Sequence, residues 1–249
     1  LYFRHKYVPA PWSIFSGIYK LEPGHLVTID AAGHVDTPAR YWALFDIAAR
    51  GVSFDGSPQD AVDELERLLQ QSVRQRLVAD VAVGAFLSGG IDSTAVVAAA
   101  QQVSDRPVRT FTIGSASADF DESDHARAVA KRLGTDHTEL TVTDADARAL
   151  VDGLGHIWDE PFGDSSQIPT LLVSRLARRD VTVALSGDAG DELFLGYNRY
   201  AWVPAIWNRV GGVPLAGRRA AARFGRRVPA PWWDTAGRVV PASRRPRMI

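Results

Sequence analysis

Cysteine is absent from the 249 residues of this sequence. The chain therefore forms no disulfide, no thiolate metal site and no covalent intermediate on a cysteine nucleophile. Lysine is scarce, since Lys6, Lys20 and Lys131 are the only ones. These absences exclude cysteine-based catalysis within this chain and leave its redox compartment open.

Long apolar runs are also missing, because no stretch approaches the roughly eighteen residues that a membrane span needs. The formal net charge of −1 argues against a general affinity for nucleic acid or for an anionic membrane. With 46% hydrophobic and 23% charged residues, the composition is that of an ordinary globular protein of one large or two small domains. Leu1 is not an initiator methionine, so the lack of a visible signal peptide carries little weight.

The spacing of apolar residues divides the chain into zones. Residues 1–42 are strand-like, with a predicted hairpin around Ala32-Gly33. Residues 51–57 (GVSFDGS) form a polar linker. From Pro58 onward strands and helices alternate, which predicts an α/β fold with an open parallel sheet and crossover helices. The last fifty residues are rich in arginine.

The first helix of the alternating zone is well marked, because Ser57 suits its cap and Pro58 its first position. The predicted strands are residues 81–87, 109–114, 137–143 and 181–187. The later predicted helices are residues 94–103, 125–134 and 168–178.

The stretch SGGIDS, residues 88–93, lies between a strand and a helix, where open α/β sheets bind ligands. Its glycines let backbone N–H groups approach an anion, Ser88 and Ser93 add hydroxyl donors, and the helix contributes its positive dipole end. A di- or triphosphate fits, and Asp92 then implies a bridging cation such as Mg²⁺. Taken alone, SGG is more commonly a simple turn. The lysine of the G-x-x-x-x-G-K-[ST] phosphate loop is absent.

A second loop, LSGDAGDELFLGY at residues 185–197, also follows a buried strand and also begins Ser-Gly. Two such loops on neighbouring strands suit a metal–nucleotide site, with Asp92 and Asp191 holding the cation from opposite sides. The segment DEPFGDSSQIPT, residues 159–170, lies between them in the sequence. By itself this segment is interpreted as a solvated loop in which Ser166 caps the next helix.

Together these segments resemble a known family. SGGIDS is similar to the pyrophosphate-binding loop of the ATP pyrophosphatase (PP-loop) superfamily. FLSGGIDST, RTFTIG, FDESDHARAVAKRLGTDHTEL, DEPFGDSSQIPT and ALSGDAGDELFLGYNRY resemble, in this order, the synthetase domain of glutamine-dependent, class B asparagine synthetase. YVPAPWSIFSGIYKLEPGH resembles the closing segment of that family's glutaminase domain.

The resemblance runs from about Tyr7 to Tyr200 and implies both architecture and chemistry. It implies an adenine nucleotide α-hydrolase-like sheet with helices on both faces, preceded by a short β remnant. Residues 1–50 would be the end of a glutaminase domain with its linker, and 51–249 an ATP-binding domain truncated at its C-terminus. ATP with Mg²⁺ would activate aspartate as β-aspartyl-AMP, releasing pyrophosphate, and ammonia from glutamine would displace AMP. The implied enzyme is cytoplasmic, binds neither nucleic acid nor membrane, and is compatible with a homodimer.

Site roles follow from the resemblance residue by residue. Leu87 and Ile113 would line the adenine pocket. The pyrophosphate would be cradled by Ser88, Gly89, Gly90 and Ser93. Ser186 and Gly187 would contact the nucleotide, and Asp92 and Asp191 would bind Mg²⁺. Asp188 matches the acidic position that is linked to formation of the acyl-adenylate.

The sequence departs from the family pattern in three respects. It lacks the N-terminal cysteine of the glutaminase and the late catalytic lysine, so a fragment of a larger enzyme or a truncated product is expected. Ala189 and Leu195 stand where glycine is commoner. Several alternatives stay open: amidation of another carboxylate in surface-polysaccharide or secondary metabolism, a non-catalytic ATP-binding fragment, a β-lactam synthetase, or a tRNA-thiolating enzyme. A β-lactam synthetase matches less well because its pattern has tyrosine where Asp188 stands. A tRNA-thiolating enzyme matches less well because it typically relies on cysteines.

Overall fold

The computed structural model describes residues 1–51, 54–115, 123–229 and 232. The chain divides into two compact units, Leu1–Asp188 and Ala189–Ile249. Three parts of the sequence interpretation lie outside the described residues: positions 52–53 of the linker, positions 120–122 of the FDESDHARAV motif, and positions 230–231 and 233–249 of the arginine-rich C-terminal stretch.

The N-terminal zone contains the predicted hairpin. Strands β1 (His25–Leu26) and β2 (Ala39–Arg40) pair antiparallel, and an isolated bridge joins Ile29 to Val35. Gly33 takes a φ of +83° at the turn, where glycine is favoured because it has no Cβ. Two short helices flank the hairpin, α1 (Tyr2–His5) and α2 (Leu44–Ala49).

The first long helix, α3 (Pro58–Leu77), begins as the sequence predicts. Ser57 Oγ accepts the N–H of Asp60 at 3.2 Å, and the Asp60 carboxylate accepts the N–H of Ser57 at 2.8 Å. These reciprocal hydrogen bonds form a capping box. Hydrogen bonding from Ser57 also lowers the pKa of Asp60. The cap thus satisfies N–H groups that have no partner within the helix.

Four parallel strands follow in the order β5-β4-β3-β6. They are β3 (Val83–Phe86), β4 (Arg109–Ser115), β5 (Asp136–Val142) and β6 (Val183–Leu185). The connecting helices are α4 (Ile91–Val103), α5 (Ser123–Leu133), α6 (Asp144–Ala149), α7 (Leu154–Ile157) and α8 (Gln167–Ala177), with a 3₁₀ turn at Val151–Gly153. The parallel α/β prediction is confirmed.

The core lies on both faces of this sheet, because successive side chains of a strand point in opposite directions. Ala85 and Leu87 pack with buried residues of α3, α4 and α5 on one face. Phe86 and Phe111 pack against α8 on the other face. The expected coverage of both faces by helices is therefore confirmed.

The chain order across the sheet reverses at β3. From β3 the chain passes outward to β4 and β5 and then returns to β6 on the opposite side of β3. Val83 pairs with Val183, and Ala85 pairs with Leu185. The loops after β3 and β6 therefore leave neighbouring strands at a topological switch point, where open α/β sheets bind ligands.

Two helix starts differ from the sequence interpretation. Helix α4 begins at Ile91 rather than at Thr94, so Asp92 and Ser93 belong to its first turn. The local residues are loop-like in composition, and helix α4 packs against β3 and α3. Ser166 stands before α8 but makes no capping hydrogen bond with its side chain.

The second unit is helical in its described part, with α9 (Gly190–Phe194), α10 (Asn198–Val210) and α11 (Leu215–Arg227). Across the residues that the structure describes, none of the helices combines the length and apolar character needed to cross a membrane.

Candidate active site

The loop after β3 is closed by its two serine side chains. Ser93 Oγ accepts the N–H of Ser88 at 3.2 Å and lies 2.9 Å from Ser88 Oγ. Ser88 Oγ accepts the N–H of Gly90 at 3.3 Å. The two hydroxyls thus hold the loop in one shape before any ligand arrives.

Several backbone N–H groups beside this loop have no acceptor within helix α4. The first intrahelical hydrogen bond of α4 runs from the Thr94 N–H to the Gly90 carbonyl at 3.0 Å. The N–H groups of Ile91, Asp92 and Ser93 precede it and have no partner within the helix. Donors of this kind, at the positive end of a helix dipole, suit an anion.

Gly89 takes a φ of +82° and packs closely on the start of α5. A Cβ at this position would lie 2.7 Å from the N atom of Ala126 and 2.7 Å from Cβ of His125. Both the backbone conformation and the space therefore require glycine.

The loop after β6 meets the loop after β3 at Gly187. A Cβ on Gly187 would lie 2.6 Å from the N atom of Ser93 and 2.9 Å from the carbonyl carbon of Asp92. Glycine permits this approach because it has no Cβ. Ser186 Oγ accepts the N–H of Asp188 at 3.0 Å and shapes the turn. The structure therefore brings together the Ser-Gly loops that the sequence predicts to be neighbours.

The carboxylates of Asp92 and Asp188 have no hydrogen-bond or ion-pair partner among the described residues. Asp92 lies in the first turn of α4, but Gly90 is its cap residue. In the described part of the chain, no three histidine, aspartate or glutamate side chains form a group that could hold a metal ion. A cation here would need phosphate oxygens and water as further ligands, which is usual for Mg²⁺.

A pocket of about 500 Å³ opens beside Ser88. Ile113, which the family resemblance assigns to the adenine pocket, lines this cavity. Leu87 does not, since its side chain is 1% exposed and packs in the core. Its backbone is fixed by a hydrogen bond from Leu87 N–H to the Phe111 carbonyl at 3.0 Å and by one from Thr112 Oγ1 to the Leu87 carbonyl.

One wall of the pocket comes from the segment that the sequence analysis interprets as a solvated loop. Ser165, Ile168 and Pro169 all line the cavity. The signal in the sequence is the density of hydroxyl and carboxylate groups in DEPFGDSSQIPT, which an ordinary exposed loop does not require. Sequence reasoning by itself missed these lining residues.

Asp191 lies in the first turn of α9, within the second unit. Its carboxylate packs on Gly196, where a Cβ would come 2.9 Å from the carboxylate carbon. The Tyr197 hydroxyl donates to Glu192 at 2.9 Å, and this hydrogen bond raises the pKa of Tyr197. The turn is thus held by contacts among its own residues.

Two residues of the same stretch occupy the left-handed region of backbone conformation. Ala189 has a φ of +73° and Leu195 a φ of +60°. This region costs residues other than glycine about 1–2 kcal/mol. Both are positions where the family resemblance favours glycine, and the backbone geometry gives the physical reason for that preference.

Comparison with known proteins identifies the family. The family model described as asparagine synthase matches residues 64–241. The chain therefore belongs to the asparagine synthase family, a family of ligases, and the resemblance drawn from the motifs is confirmed.

Two curated relatives give the extent of this similarity. A Methanocaldococcus jannaschii protein provisionally named asparagine synthetase [glutamine-hydrolyzing] 2 is 38% identical over 79% of this chain and 37% of its own length. Asparagine synthetase [glutamine-hydrolyzing] 1 of Bacillus subtilis is 32% identical over 80% of this chain and 30% of its own length. The chain thus spans about a third of the length of these relatives.

Among solved structures, an NH3-dependent NAD synthetase from Campylobacter jejuni is similar with a TM-score of 0.39 and 13% identity. The match covers 55% of this chain and 60% of that one.

Proposed function

We propose that the protein containing this chain uses ATP to amidate a carboxylate, and that the carboxylate is the side chain of aspartate. The observation that carries the proposal is the contact at Gly187, which joins two Ser-Gly loops at the switch point of the sheet. Membership of the asparagine synthase family supports the same reaction. The α-phosphorus of ATP is attacked by the aspartate carboxylate, pyrophosphate leaves, and ammonia then displaces AMP from the acyl-adenylate.

In this proposal the loop after β3 binds the departing pyrophosphate. Ser88, Gly89, Gly90 and Ser93 surround it, and the free N–H groups at the start of α4 donate to it. Ser186 and Gly187 contact the nucleotide from the other loop. Rigid donors that already point at the place where charge develops stabilise a transition state without reorganising. The adenine ring occupies the pocket lined by Ile113, next to the backbone of Leu87.

Asp92 and Asp191 are proposed to hold Mg²⁺, which offsets the negative charge of the leaving pyrophosphate when it is bound. The unpaired carboxylate of Asp92 supports this role, since nothing else in the described residues uses it. Asp188 is proposed to act at formation of the acyl-adenylate. Catalysis would then consist mainly of positioning and electrostatics.

The source of ammonia lies outside the chemistry of this chain. We propose that residues 1–50 are the end of a glutaminase domain with its linker, and that 51–249 belong to the ATP-binding domain. Ammonia would come from glutamine in the protein encoded by the complete gene. The chain itself has no cysteine, so it should release no glutamate from glutamine above a no-protein control.

The decisive experiment identifies which bond of ATP breaks. The protein encoded by the complete gene is incubated with ATP, Mg²⁺, aspartate and ammonia, without pyrophosphatase, and the products are separated by chromatography. AMP, pyrophosphate and asparagine should form in equal amounts. Release of ADP and inorganic phosphate would show instead that the loop after β3 does not hold a β,γ-pyrophosphate unit, and would overturn the proposal.

A further inference from the structure

The loop of residues 159–166, here called the acidic loop, is fastened to the N-terminal segment at two places. The Gly163 N–H donates to the Lys6 carbonyl at 2.6 Å. Three residues earlier, Glu160 Oε1 accepts the N–H of Ile14 at 3.0 Å and Oε2 accepts Lys20 Nζ. Residues more than 130 positions apart in the sequence are therefore joined through one carboxylate.

This ion pair is not an ordinary solvated surface pair. The Glu160 side chain is 14% exposed and the Lys20 side chain 37%, and both oxygens of Glu160 have donors. Lys20 Nζ also donates to the Val8 carbonyl at 2.6 Å. The hydrogen bond from Lys20 lowers the pKa of Glu160, because it favours the ionised carboxylate. A pair fixed by several hydrogen bonds holds its surroundings in place more firmly than an exposed pair does.

The other end of the acidic loop forms the wall of the pocket. Ser165 lines the cavity beside Ser88. The Asp164 carboxylate accepts the Ser166 N–H at 2.8 Å, and the Asp164 carbonyl accepts Gln167 Nε2 at 3.0 Å. Because the loop is tied to itself and to the start of α8, the position of Glu160 constrains the position of the wall.

We propose that Lys20 and Glu160 are positioning residues for the nucleotide pocket, through which the N-terminal segment controls how well the pocket binds ATP. The inference rests on the proposed function in taking ATP as the ligand. Neither side chain lines the pocket. Loss of the pair should therefore weaken nucleotide binding and leave the chemical step largely unchanged.

The test uses Lys20→Met in the protein encoded by the complete gene, with ammonia as the nitrogen source. We expect the KM for ATP to rise on the order of tenfold, less than the roughly 100-fold cost of a 1 Å misplacement, while kcat stays within about twofold. Lys20→Arg should restore most of the binding, because arginine can still donate to Glu160. In the double variant, Lys20→Met with Glu160→Gln, the KM for ATP should rise no more than it does in the more affected single variant. The reason is that the two residues act as one unit.

Arg40→Met is the matched control. It breaks the Arg40–Asp46 pair of 2.9 Å, whose side chains are 55% and 51% exposed and which does not touch the acidic loop. The control should leave the KM for ATP unchanged.

Hydrogen exchange and ATP calorimetry separate this proposal from the proposed function. Exchange at the Gly163 and Ser166 amides should be faster in Lys20→Met than in the wild type and the control. Faster exchange with an unchanged affinity for ATP would show that the pair is only structural. Unchanged exchange would show that the pair does not hold the acidic loop. Either result overturns the inference. If the wild type binds ATP but forms no AMP, the proposed function fails while calorimetry still tests the pair. A wild type that does not bind ATP overturns both.

Discussion

The loops after β3 and β6 begin alike and then diverge. In each, the serine that follows the strand accepts an N–H from two residues ahead, Gly90 at 3.3 Å and Asp188 at 3.0 Å. After β3 the left-handed position is filled by Gly89, for which this conformation carries no steric penalty. After β6 the left-handed positions are filled by Ala189 and Leu195. The same opening hydrogen bond is therefore accompanied by a relaxed left-handed glycine in one loop and by strained left-handed residues in the other.

The two loops are held in place by different interactions. The β3 loop is held by its own serine hydroxyls and by the turn of α4 that follows. Conformations that cost about 1–3 kcal/mol persist only where the surrounding structure enforces them, and they cluster at functional sites. The strain in the β6 loop thus points to a function for its carboxylates, in line with the roles proposed for Asp188 and Asp191.

The largest combined effect on stability and activity is expected from breaking the contact between the loops with Gly187→Ala. The added methyl would overlap the backbone of Ser93, so the loops must separate or shift. Overpacking of this kind costs about 1–3 kcal/mol of unfolding free energy, and a displaced site loses on the order of 100-fold in rate. Urea unfolding and pyrophosphate release measure the two effects. Gly155→Ala is the control. A Cβ at this position would have no heavy atom within 4 Å, so the substitution should not lower the free energy of unfolding. Wild-type rates for Gly187→Ala would mean that the contact is incidental.

Asp92→Asn should abolish pyrophosphate release while the fold persists. The carboxylate has no protein partner in the described residues, so its loss removes only a helix-dipole interaction of about 0.3–1 kcal/mol. An amide is a weaker, neutral ligand for Mg²⁺. Asp80→Asn is the matched control, because Asp80 precedes β3 and lies toward the opposite end of that strand. Near-normal turnover in Asp92→Asn would remove Asp92 from the proposed metal site.

The serines of the two turns should differ in their contribution to stability. Ser88→Ala removes the acceptor for Gly90 and the partner of Ser93, whereas Ser186→Ala removes only the acceptor for Asp188. Because each hydrogen bond contributes about 1 kcal/mol, we expect the free energy of unfolding to fall by about 2 kcal/mol in Ser88→Ala and by about 1 kcal/mol in Ser186→Ala. Denaturant titration of both variants checks the order. Equal losses would contradict the view that the β3 loop is the more extensively hydrogen-bonded one.

The smallest effect, and one of opposite sign, is expected from relieving the strain in the β6 loop. Ala189→Gly and Leu195→Gly should each raise the free energy of unfolding by about 0.5–1 kcal/mol, the left-handed penalty less the chain entropy of glycine. Ala48→Gly, at an exposed right-handed helical position, should lower it by up to about 1 kcal/mol. Thermal unfolding distinguishes the signs. Destabilisation by both loop variants would mean that these side chains contribute more than their backbone strain costs.

Much of the fold could be predicted because its signals are local. Ser57 and Pro58 mark the start of α3 through cap chemistry, and the turn at Ala32-Gly33 marks the hairpin. The start of α4 was predicted three residues late, because Asp92 and Ser93 are also typical of loops. Helix ends depend on packing as much as on propensity, which is why they are predicted least reliably.

Sequence patterns alone were enough to predict the parallel α/β class, the two Ser-Gly loops and the family. These depend on residue type and spacing along the chain, which sequence patterns record directly. Three features are visible only in the folded chain: Gly187 lies against Ser93, Leu87 is buried while Ile113 faces the pocket, and Glu160 is held by Lys20. The physical reason is that these contacts join segments distant in sequence. Their geometry depends on strand order and on close packing of the whole sheet, and no local pattern of residues encodes either one.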